Sequence, residues 1–262
     1  MIKVSKFNYP EIINLGDIEK WRDWDIDFSK IDLIIGGSPC QGFSTAGKEL
    51  NFDDPRSKLF FCFSEILNHA RSLNKNVKFL FENVLMKKEY QDIITKELKS
   101  STPIIINSRL VSAQDRKRLY WSNFWFNRPH DIGVSISSVI GDNVFAGSMR
   151  GRRVKDGKRS DYDADVKIEQ YIECRKDNKS NCVTTVNKDN VVCNKKQRFT
   201  KTQECEWRYY TPEELEQLQT IPIGYTDCGI SKSARCKAIG NAWTVDVIAH
   251  IFKFLPREVN HE

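Results

Sequence analysis

Buried-strand signals alternate with helical signals through the first half of the chain, and this alternation constrains the fold more than any other feature. Asp32-Leu-Ile-Ile-Gly-Gly37 and Val77-Lys-Phe-Leu-Phe-Glu82 are short apolar runs of the length expected for buried strands. Between them, residues 57–72 carry apolar side chains at helical spacing, namely Leu59, Phe60, Phe63, Ile66, Leu67 and Ala70. Strands that alternate with helices predict a largely parallel sheet covered on both faces.

The alternation continues for some forty residues more and then breaks. A helix and two strands are predicted next, over residues 87–99, 103–106 and 119–121. The pattern ends at Asn127-Arg-Pro129. Residues 130–207 are polar, basic and weakly periodic, which predicts a separate lobe with short strands such as Cys182-Val-Thr-Thr-Val186.

Regular structure is predicted to return after this lobe. Thr211-Pro-Glu-Glu214 combines an N-cap threonine, a proline at the first helical position and a glutamate three residues after the cap, which together form a capping box. A last helix is predicted over about 242–255, with four residues facing inward: Val245, Ile248, Phe252 and Leu255. We therefore expect an α/β domain at residues 1–129, the lobe at 130–207, and a return to the α/β domain at 208–262.

Composition excludes several classes of protein. The 262 residues include 15 Phe, 8 Tyr and 6 Trp, enough bulk to build a core, so disorder throughout is excluded. No apolar run approaches the roughly 18 residues that span a bilayer, and the first residues, Met1-Ile-Lys-Val-Ser-Lys-Phe7, do not resemble a secretory signal. We expect an intracellular, cytoplasmic protein with reduced cysteines and no metal site, because none of the cysteine pairs has C-x-x-C spacing.

The positive charge of the chain is concentrated in one segment. Residues 145–201 hold 15 Lys and Arg against 8 Asp and Glu, whereas the rest of the chain holds 26 basic and 27 acidic residues. A basic block of this kind suits a polyanion such as nucleic acid. The alternative is an irregular surface insert whose charges are solvated and bind nothing.

A candidate nucleophile follows the first predicted strand. Gly36-Gly-Ser-Pro-Cys-Gln-Gly-Phe-Ser44 lies at the carboxyl edge of the sheet, where open α/β sheets bind their ligands. The glycines and Pro39 are expected to hold a sharp turn that exposes Cys40, and a thiol nucleophile needs such a polar, partly open site. The alternative is a buried structural cysteine.

Charged side chains are predicted near the same edge. Glu82 ends the next buried strand, where a carboxyl group can donate a hydrogen bond or a proton. In Gln114-Asp-Arg-Lys-Arg118 the residues alternate, so Gln114, Arg116 and Arg118 are expected on one face of a strand. Two arginines on one face suit an anionic ligand or a buried acid, although each is also compatible with a surface ion pair or a strand-end cap.

Together and in this order, these motifs resemble those of the DNA cytosine-5 methyltransferases. The resemblance rests on six motifs: Pro39-Cys-Gln41, Glu82-Asn-Val84, Gln114-Asp-Arg-Lys-Arg118, Arg208-Tyr-Tyr-Thr-Pro-Glu-Glu-Leu215, Leu218-Gln-Thr-Ile-Pro222 and Ile239-Gly-Asn-Ala242. It covers nearly the whole chain and is strongest for the de novo animal branch and its phage and bacterial relatives, including restriction–modification enzymes. It implies an S-adenosylmethionine-dependent, Rossmann-like α/β sheet, with residues 130–207 as a small basic target-recognition lobe.

The resemblance also implies a mechanism. Cytosine C5 is a poor nucleophile, and a thiolate that adds to C6 turns the ring into an enamine that accepts a methyl group at C5. Cys40 is expected to supply the thiolate, and Glu82 to bind the N3/N4 edge of the base. Arg116 and Arg118 are expected to hold the base O2, Glu82 and a nearby phosphate. A duplex hides C6, so the target base has to be flipped out of double-stranded DNA.

Two further sets of residues are assigned through the resemblance. Leu15-Gly-Asp-Ile18 resembles the family's cofactor-side acidic turn, and Asp54-Pro-Arg-Ser-Lys-Leu-Phe60 resembles its helix-start motif. S-adenosylmethionine is expected to contact residues from these and the other motifs: Asp17, Ile18, Pro39, Leu59, Asn241, Ala242 and Trp243. DNA is expected to contact Ser44 and residues of the basic lobe: Arg152, Arg153, Lys155, Thr184 and Thr185. Asn181-Cys-Val-Thr-Thr185 is similar to the family's Thr-rich recognition strand, although Cys182 replaces the more usual threonine.

One part of the family pattern has no counterpart in this sequence. The family begins with a Phe-x-Gly-x-Gly loop and an acidic residue that bind the cofactor, but here the only glycine before Gly36 is Gly16. We therefore expect a fold that is incomplete at its N-terminus and that needs a second polypeptide or a homo-oligomer for full activity. A truncated gene or a remnant that kept DNA binding is an alternative origin. Two other functions stay open, a catalytically inactive DNA-binding or regulatory subunit and an RNA cytosine-5 methyltransferase.

Overall fold

The computed structural model describes residues 2–39, 58–196 and 199–256. The chain divides into two compact units. The described residues of the first, which we call the four-stranded unit, fall within Ile13–Ile106, Lys117–Arg128 and His250–Glu262. Those of the second, the five-stranded unit, fall within Met1–Ile12, Asn107–Arg116 and Pro129–Ala249. Two predicted site residues, Cys40 and Ser44, lie outside the described residues.

Strands and α-helices alternate only in the first part of the chain, up to about residue 107. The described strands are β1 (Leu33–Gly37), β2 (Lys78–Val84), β3 (Ile104–Asn107), β4 (Lys117–Ser122), β5 (Phe145–Arg152), β6 (Val154–Lys155), β7 (Lys158–Arg159), β8 (Glu169–Cys174), β9 (Val191–Cys193), β10 (Thr200–Lys201) and β11 (Trp207–Tyr209). The described α-helices are α1 (Ile2–Asn8), α2 (Lys58–Leu73), α3 (Lys88–Glu97), α4 (Ser137–Ile140), α5 (Pro212–Leu218), α6 (Lys232–Asn241) and α7 (Val245–Phe252). Across the part of the chain that the structure describes, no helix is both long enough and apolar enough to span a bilayer.

The sheet of the four-stranded unit has the order β1-β2-β4-β3. β1 and β2 are parallel, as predicted, and α2 lies between them in the chain. β4 runs antiparallel to β2, so the prediction of a largely parallel sheet is wrong at this strand. The physical reason is the connection that leads into β4, because residues 108–116 contain only a 3-10 turn and no crossover helix.

The core of this unit forms between α2 and the sheet. The predicted helical face of α2, apart from the half-buried Leu59, is buried and packs with Phe79, Phe81 and Trp121 in one hydrophobic cluster. Gly36 lies inside β1, where an added Cβ would lie 2.8 Å from the Phe63 ring. Glycine is therefore needed at this position for close packing of α2 on the strand, whereas the sequence had suggested a turn.

The five-stranded unit contains an antiparallel sheet of order β10-β8-β5-β9-β11. A small hairpin, β6–β7, turns through Asp156 and Gly157, which both have positive φ values of 51° and 70°. Such a two-residue turn matches the twist of the flanking strands and favours Asp-Gly. The segment Cys182–Val186 is not a strand, contrary to prediction, because side chains rather than a neighbouring strand satisfy the backbone groups of Val183.

The C-terminal helices follow the predicted pattern with one change of register. The capping box of α5 is confirmed, since Glu214 N donates to Thr211 Oγ1 at 3.2 Å and Thr211 N donates to the Glu214 carboxylate at 2.8 Å. α7 begins at Val245 rather than near residue 242, and it buries Val247 and Ile251 while Val245 is 43% exposed. The inward face therefore differs from the one predicted for a helix that starts earlier.

Candidate active site

The carboxyl ends of β1 and β2 bring two of the predicted motifs together. Gly37 of β1 is the register partner of Glu82 of β2. Asn83 Nδ2 donates to Ser38 Oγ at 3.0 Å. The residues that immediately precede Cys40 therefore lie beside the Glu-Asn-Val motif, at the edge where open α/β sheets bind ligands.

Glu82 forms an ion pair with Arg118. Arg118 Nε lies 2.8 Å from Glu82 Oε1, and their side chains are only 16% and 11% exposed. The two residues lie on neighbouring strands, since Glu82 is paired in register with Tyr120 and Arg118 with Val84. At this low exposure the guanidinium fixes the orientation of the carboxyl group and shields it from bulk water.

Arg116 does not share a strand face with Arg118, contrary to prediction. It precedes β4 and belongs to the five-stranded unit, where its side chain is buried. Its guanidinium donates to Val183 O at 2.8 Å and to Ala242 O at 3.1 Å. The alternating face expected for the Gln-x-Arg-x-Arg motif is therefore wrong, because the chain becomes a strand only from Lys117 onward.

Gln114 is fully buried in the five-stranded unit and forms an isolated bridge with Ser180. Its side chain contacts two residues that the sequence analysis did not single out as site residues, Gln219 and Thr244. Both lie inside or next to motifs that carried the family resemblance, which was the available signal. A buried glutamine with several polar partners indicates a specific structural role.

The predicted cofactor contacts are divided between the units. Asp17, Ile18, Pro39 and Leu59 belong to the four-stranded unit, whereas Asn241, Ala242 and Trp243 belong to the five-stranded unit. The Asp17 carboxylate is exposed and accepts from Glu19 N at 3.1 Å, while Ile18 packs on the hydrophobic cluster. An exposed acceptor beside an apolar side chain fits the polar and apolar parts of a nucleoside.

The predicted DNA-binding arginines are engaged within the protein. Arg152 forms an ion pair with Glu173, and Arg153 donates to the carbonyls of Val166 and Asp161 at 2.9 and 3.2 Å. Lys155 keeps a side chain that is 64% exposed, 3.6 Å from Asp163. These partners neutralise much of the local charge, so the three residues are less available to phosphates than their sequence pattern suggested.

Other lysines of the basic segment are more available. Six exposed lysines have no ion pair among the described residues: Lys158, Lys167, Lys176, Lys188, Lys195 and Lys196. No motif marked them in the sequence, and only their neighbours in space distinguish them from the paired cations. They account for much of the excess positive charge that a polyanion would meet.

The predicted recognition threonines lie in the segment that follows Cys182. Thr184 Oγ1 donates to Asp189 Oδ2 at 2.6 Å, and it accepts from Val186 N at 3.1 Å. Thr185 is exposed. The hydroxyl of Thr184 is thus used locally to fix the loop, whereas Thr185 is open to a ligand.

Comparison with solved structures identifies the fold as that of a methyltransferase. A DNA modification methyltransferase encoded within an Escherichia coli prophage matches with a TM-score of 0.58 and 18% identity, over 97% of this chain and 88% of that one. The Dnmt2 methyltransferase of S. pombe matches with a TM-score of 0.54 and 17% identity, over 97% and 94% of the two chains. The predicted α/β methyltransferase-type fold is thereby confirmed.

Sequence comparison identifies the family. The model of the C-5 cytosine-specific DNA methylase family matches residues 1–132, half of the chain. The chain therefore belongs to the C-5 cytosine-specific DNA methylase family, as its motifs predicted.

Individual relatives are type II methyltransferases and a phage enzyme. The type II methyltransferase M.NgoBV of Neisseria gonorrhoeae is 36% identical over 125 residues, which are 47% of this chain and 26% of that protein. M.NlaIV of Neisseria lactamica is 34% identical over 135 residues, 51% of this chain and 29% of that protein. The orphan methyltransferase M.SPRI of Bacillus phage SPR is 35% identical over 127 residues, 43% of this chain and 27% of that protein. The matches thus span less than a third of the length of these relatives.

Proposed function

We propose that this chain methylates C5 of cytosine in DNA, with Cys40 as the nucleophile and S-adenosylmethionine as the methyl donor. One observation carries the proposal. Glu82, held by Arg118, is the register partner of Gly37 at the sheet edge, and its neighbour Asn83 bonds Ser38, two residues before Cys40 in the chain. The residues that lead into the Pro-Cys-Gln motif therefore lie beside the strand end that carries a shielded carboxyl group, within a region that the family model matches.

The chemistry follows from these groups. The Cys40 thiolate adds to C6 of an extrahelical cytosine, and Glu82 holds N3 and the N4 amino group while charge develops on the ring. S-adenosylmethionine, when bound, supplies an electrophilic methyl group. Loss of the C5 proton to a water molecule then restores the C5–C6 double bond and expels the Cys40 thiolate. Arg118 keeps the carboxyl group of Glu82 oriented towards the base throughout.

The residues present fit part of the cofactor. Asp17 offers an exposed carboxylate that can accept hydrogen bonds from the hydroxyl or amino groups of a nucleoside. Ile18, which rests on the hydrophobic cluster, offers an apolar surface for an adenine ring. Leu59, Pro39 and the Asn241–Trp243 turn keep their predicted assignment to the same ligand.

DNA that contains 5-fluorocytosine tests the nucleophile. Fluorine at C5 cannot be removed as a proton is, so the covalent complex accumulates after methyl transfer. With S-adenosylmethionine present, together with a polypeptide that completes the cofactor site, we expect the wild-type chain to give an adduct that survives denaturation. Cys40→Ala should give none, whereas Cys228→Ala, a change at a half-exposed cysteine of the described residues, should keep it. An adduct formed by Cys40→Ala would refute the assignment.

Glu82→Gln separates the proposed catalytic role from DNA binding. Glutamine keeps the shape of the side chain but loses the charge that pairs with Arg118. We expect duplex binding in a gel shift to persist. The rate of methyl transfer should fall by about two orders of magnitude or more, because an oriented polar group that stabilises developing charge is lost. Comparison of duplex DNA with tRNA in the same assays distinguishes the DNA enzyme from an RNA enzyme.

A further inference from the structure

The recognition segment is held by side chains rather than by a sheet. Val183 is completely buried, although residues 181–184 have no strand partner. Its N–H donates to Gln114 Oε1 at 3.1 Å, and its carbonyl accepts from Arg116 Nη1 at 2.8 Å. Both backbone groups of the residue that precedes Thr184 and Thr185 are therefore fixed by the first half of the Gln-x-Arg-x-Arg motif.

Gln114 and Arg116 also reach the turn after α6. Gln114 Nε2 donates to Gln219 Oε1 at 2.8 Å, and Gln219 Nε2 donates to the carbonyls of Ile239 and Ala242 at 3.0 and 3.1 Å. Arg116 Nη2 donates to the same Ala242 carbonyl at 3.1 Å. A continuous chain of buried hydrogen bonds thus connects Val183 to the turn that carries the predicted cofactor contacts.

The two segments also touch directly. Gly240 lies so close to the backbone of Thr184 and Thr185 that an added Cβ would be 2.6 Å from Thr184 O and 2.8 Å from Thr185 N. Gln219 Oε1 accepts a further bond from Thr244 Oγ1 at 2.9 Å, which ties the start of α7 into the same cluster. We call Gln114, Arg116, Gln219 and Thr244 the glutamine network.

We propose that Gln114 is a positioning residue, which holds the Val183–Thr185 segment and the Ile239–Trp243 turn in one fixed arrangement through the glutamine network. The inference rests on the proposed function, because those two segments are the ones assigned to DNA and to S-adenosylmethionine. It changes the role of Arg116 from a predicted contact with the base to a support for both segments. It makes recognition of DNA and binding of the cofactor depend on one buried side chain that touches neither ligand.

Gln114→Met tests the positioning role, because methionine keeps the approximate volume but removes all of the hydrogen bonds. Gln217→Met is the matched control, since Gln217 lies in α5 and makes only a local bond to Glu213 O at 3.4 Å. Ile251→Val serves as a second control that lowers stability outside the glutamine network. The first readout is amide hydrogen exchange of the full chain without ligand.

We expect Gln114→Met to raise exchange by about tenfold in residues 183–186 and 239–243, as for the loss of one well-made hydrogen bond. Neither control should produce this local change. Unchanged exchange in both segments would overturn the proposal, whether or not the chain methylates DNA. Should Gln114→Met not fold, Arg116→Lys replaces it, because lysine keeps the charge but cannot span both carbonyls.

The second readout is steady-state methylation of unmethylated bacterial genomic DNA. Misplaced binding segments should raise KM for DNA and KM for S-adenosylmethionine by about tenfold each, with a smaller change in kcat. Ile251→Val should leave both KM values unchanged, which separates positioning from a general loss of stability. A fall in kcat alone would overturn the proposal. Absence of methylation by the wild-type chain in the presence of a polypeptide that completes the cofactor site would instead count against the proposed function, and the exchange readout would still decide the role of Gln114.

Discussion

Gly240→Ala should change the stability of the protein through two opposing effects, a gain in helix propensity and a steric clash. Gly240 lies in the last turn of α6, where alanine is intrinsically favoured over glycine by about 1 kcal/mol. Against this gain, the new Cβ would lie 2.6 Å from the carbonyl carbon and oxygen of Thr184. Restoring an ordinary contact of 3.4 Å requires the backbone of Thr184 to move by about 0.8 Å.

The steric effect should win, because the opposing atoms are backbone and their neighbour is fixed. Val183 is held by Gln114 and Arg116, so a shift of Thr184 weakens at least one of those hydrogen bonds at a cost of about 1 kcal/mol. That weakened hydrogen bond is part of the whole overpacking cost of about 1–3 kcal/mol, and rigid backbone places this case towards the upper end. The net loss of stability is then about 2 kcal/mol, or a fall in Tm of roughly 4–8 °C for a chain of this size.

Urea unfolding followed by circular dichroism measures the effect. Gly151→Ala is the control, because its nearest neighbour is the flexible side chain of Ile168 at 3.2 Å. Thr184→Ala should not rescue Gly240→Ala, since the contact is with backbone atoms. A Gly240→Ala variant as stable as the wild type, or more stable, would refute the inference that Thr184 packs tightly on this helix.

Two further predictions concern charge and ionisation. Changing Lys158, Lys176 and Lys188 to alanine should weaken duplex binding. The slope of the logarithm of the binding constant against the logarithm of the salt concentration should become shallower by about 0.9 for each phosphate that is no longer neutralised. An unchanged slope would show that these lysines are only solvated. Burial raises the pKa of Tyr210 above its ordinary value. Its neutral form is therefore favoured in the folded state, and stability should fall by about 1.4 kcal/mol per pH unit as the pH rises above about 10, the unfolded value. Tyr210→Phe should remove that part of the alkaline loss, at the cost of its hydrogen bond with Ser180, and pH-dependent urea titrations check it.

The sequence predicted those helices and strands whose buried face depends only on residues close by in the chain. The apolar spacing of α2, the short runs of β1 and β2, and the capping box at Thr211 each depend on neighbours within one or two turns, and each is present. The orientation of β4 was not predictable in this way. It depends on whether the connection before it contains a crossover helix, which an apolar run of three residues does not reveal.

The family was predictable from the sequence, whereas the arrangement of the candidate site residues was not. Motif order gave the family and placed Glu82 at a sheet edge, but the partner of each charged group depends on distant parts of the chain. The sequence shows that residues 145–201 include 15 basic residues. It does not show which of these side chains are already paired with a carboxylate or a backbone carbonyl. Arg153 is predicted to contact DNA, and only the structure reveals that its guanidinium also bonds the Val166 and Asp161 carbonyls.

The Gln-x-Arg-x-Arg motif shows why spacing alone misleads at this site. Arg116 and Arg118 are two residues apart, yet one supports Val183 and Ala242 in the five-stranded unit while the other holds Glu82 in the four-stranded unit. Since the partners described for the two arginines differ, Arg116→Lys and Arg118→Lys should give separable defects, in KM for the former and in kcat for the latter. Their free-energy costs should add in the double variant to within about 0.5 kcal/mol. A larger coupling energy in that cycle would mean that the motif acts as a single unit, as its alternating pattern first suggested.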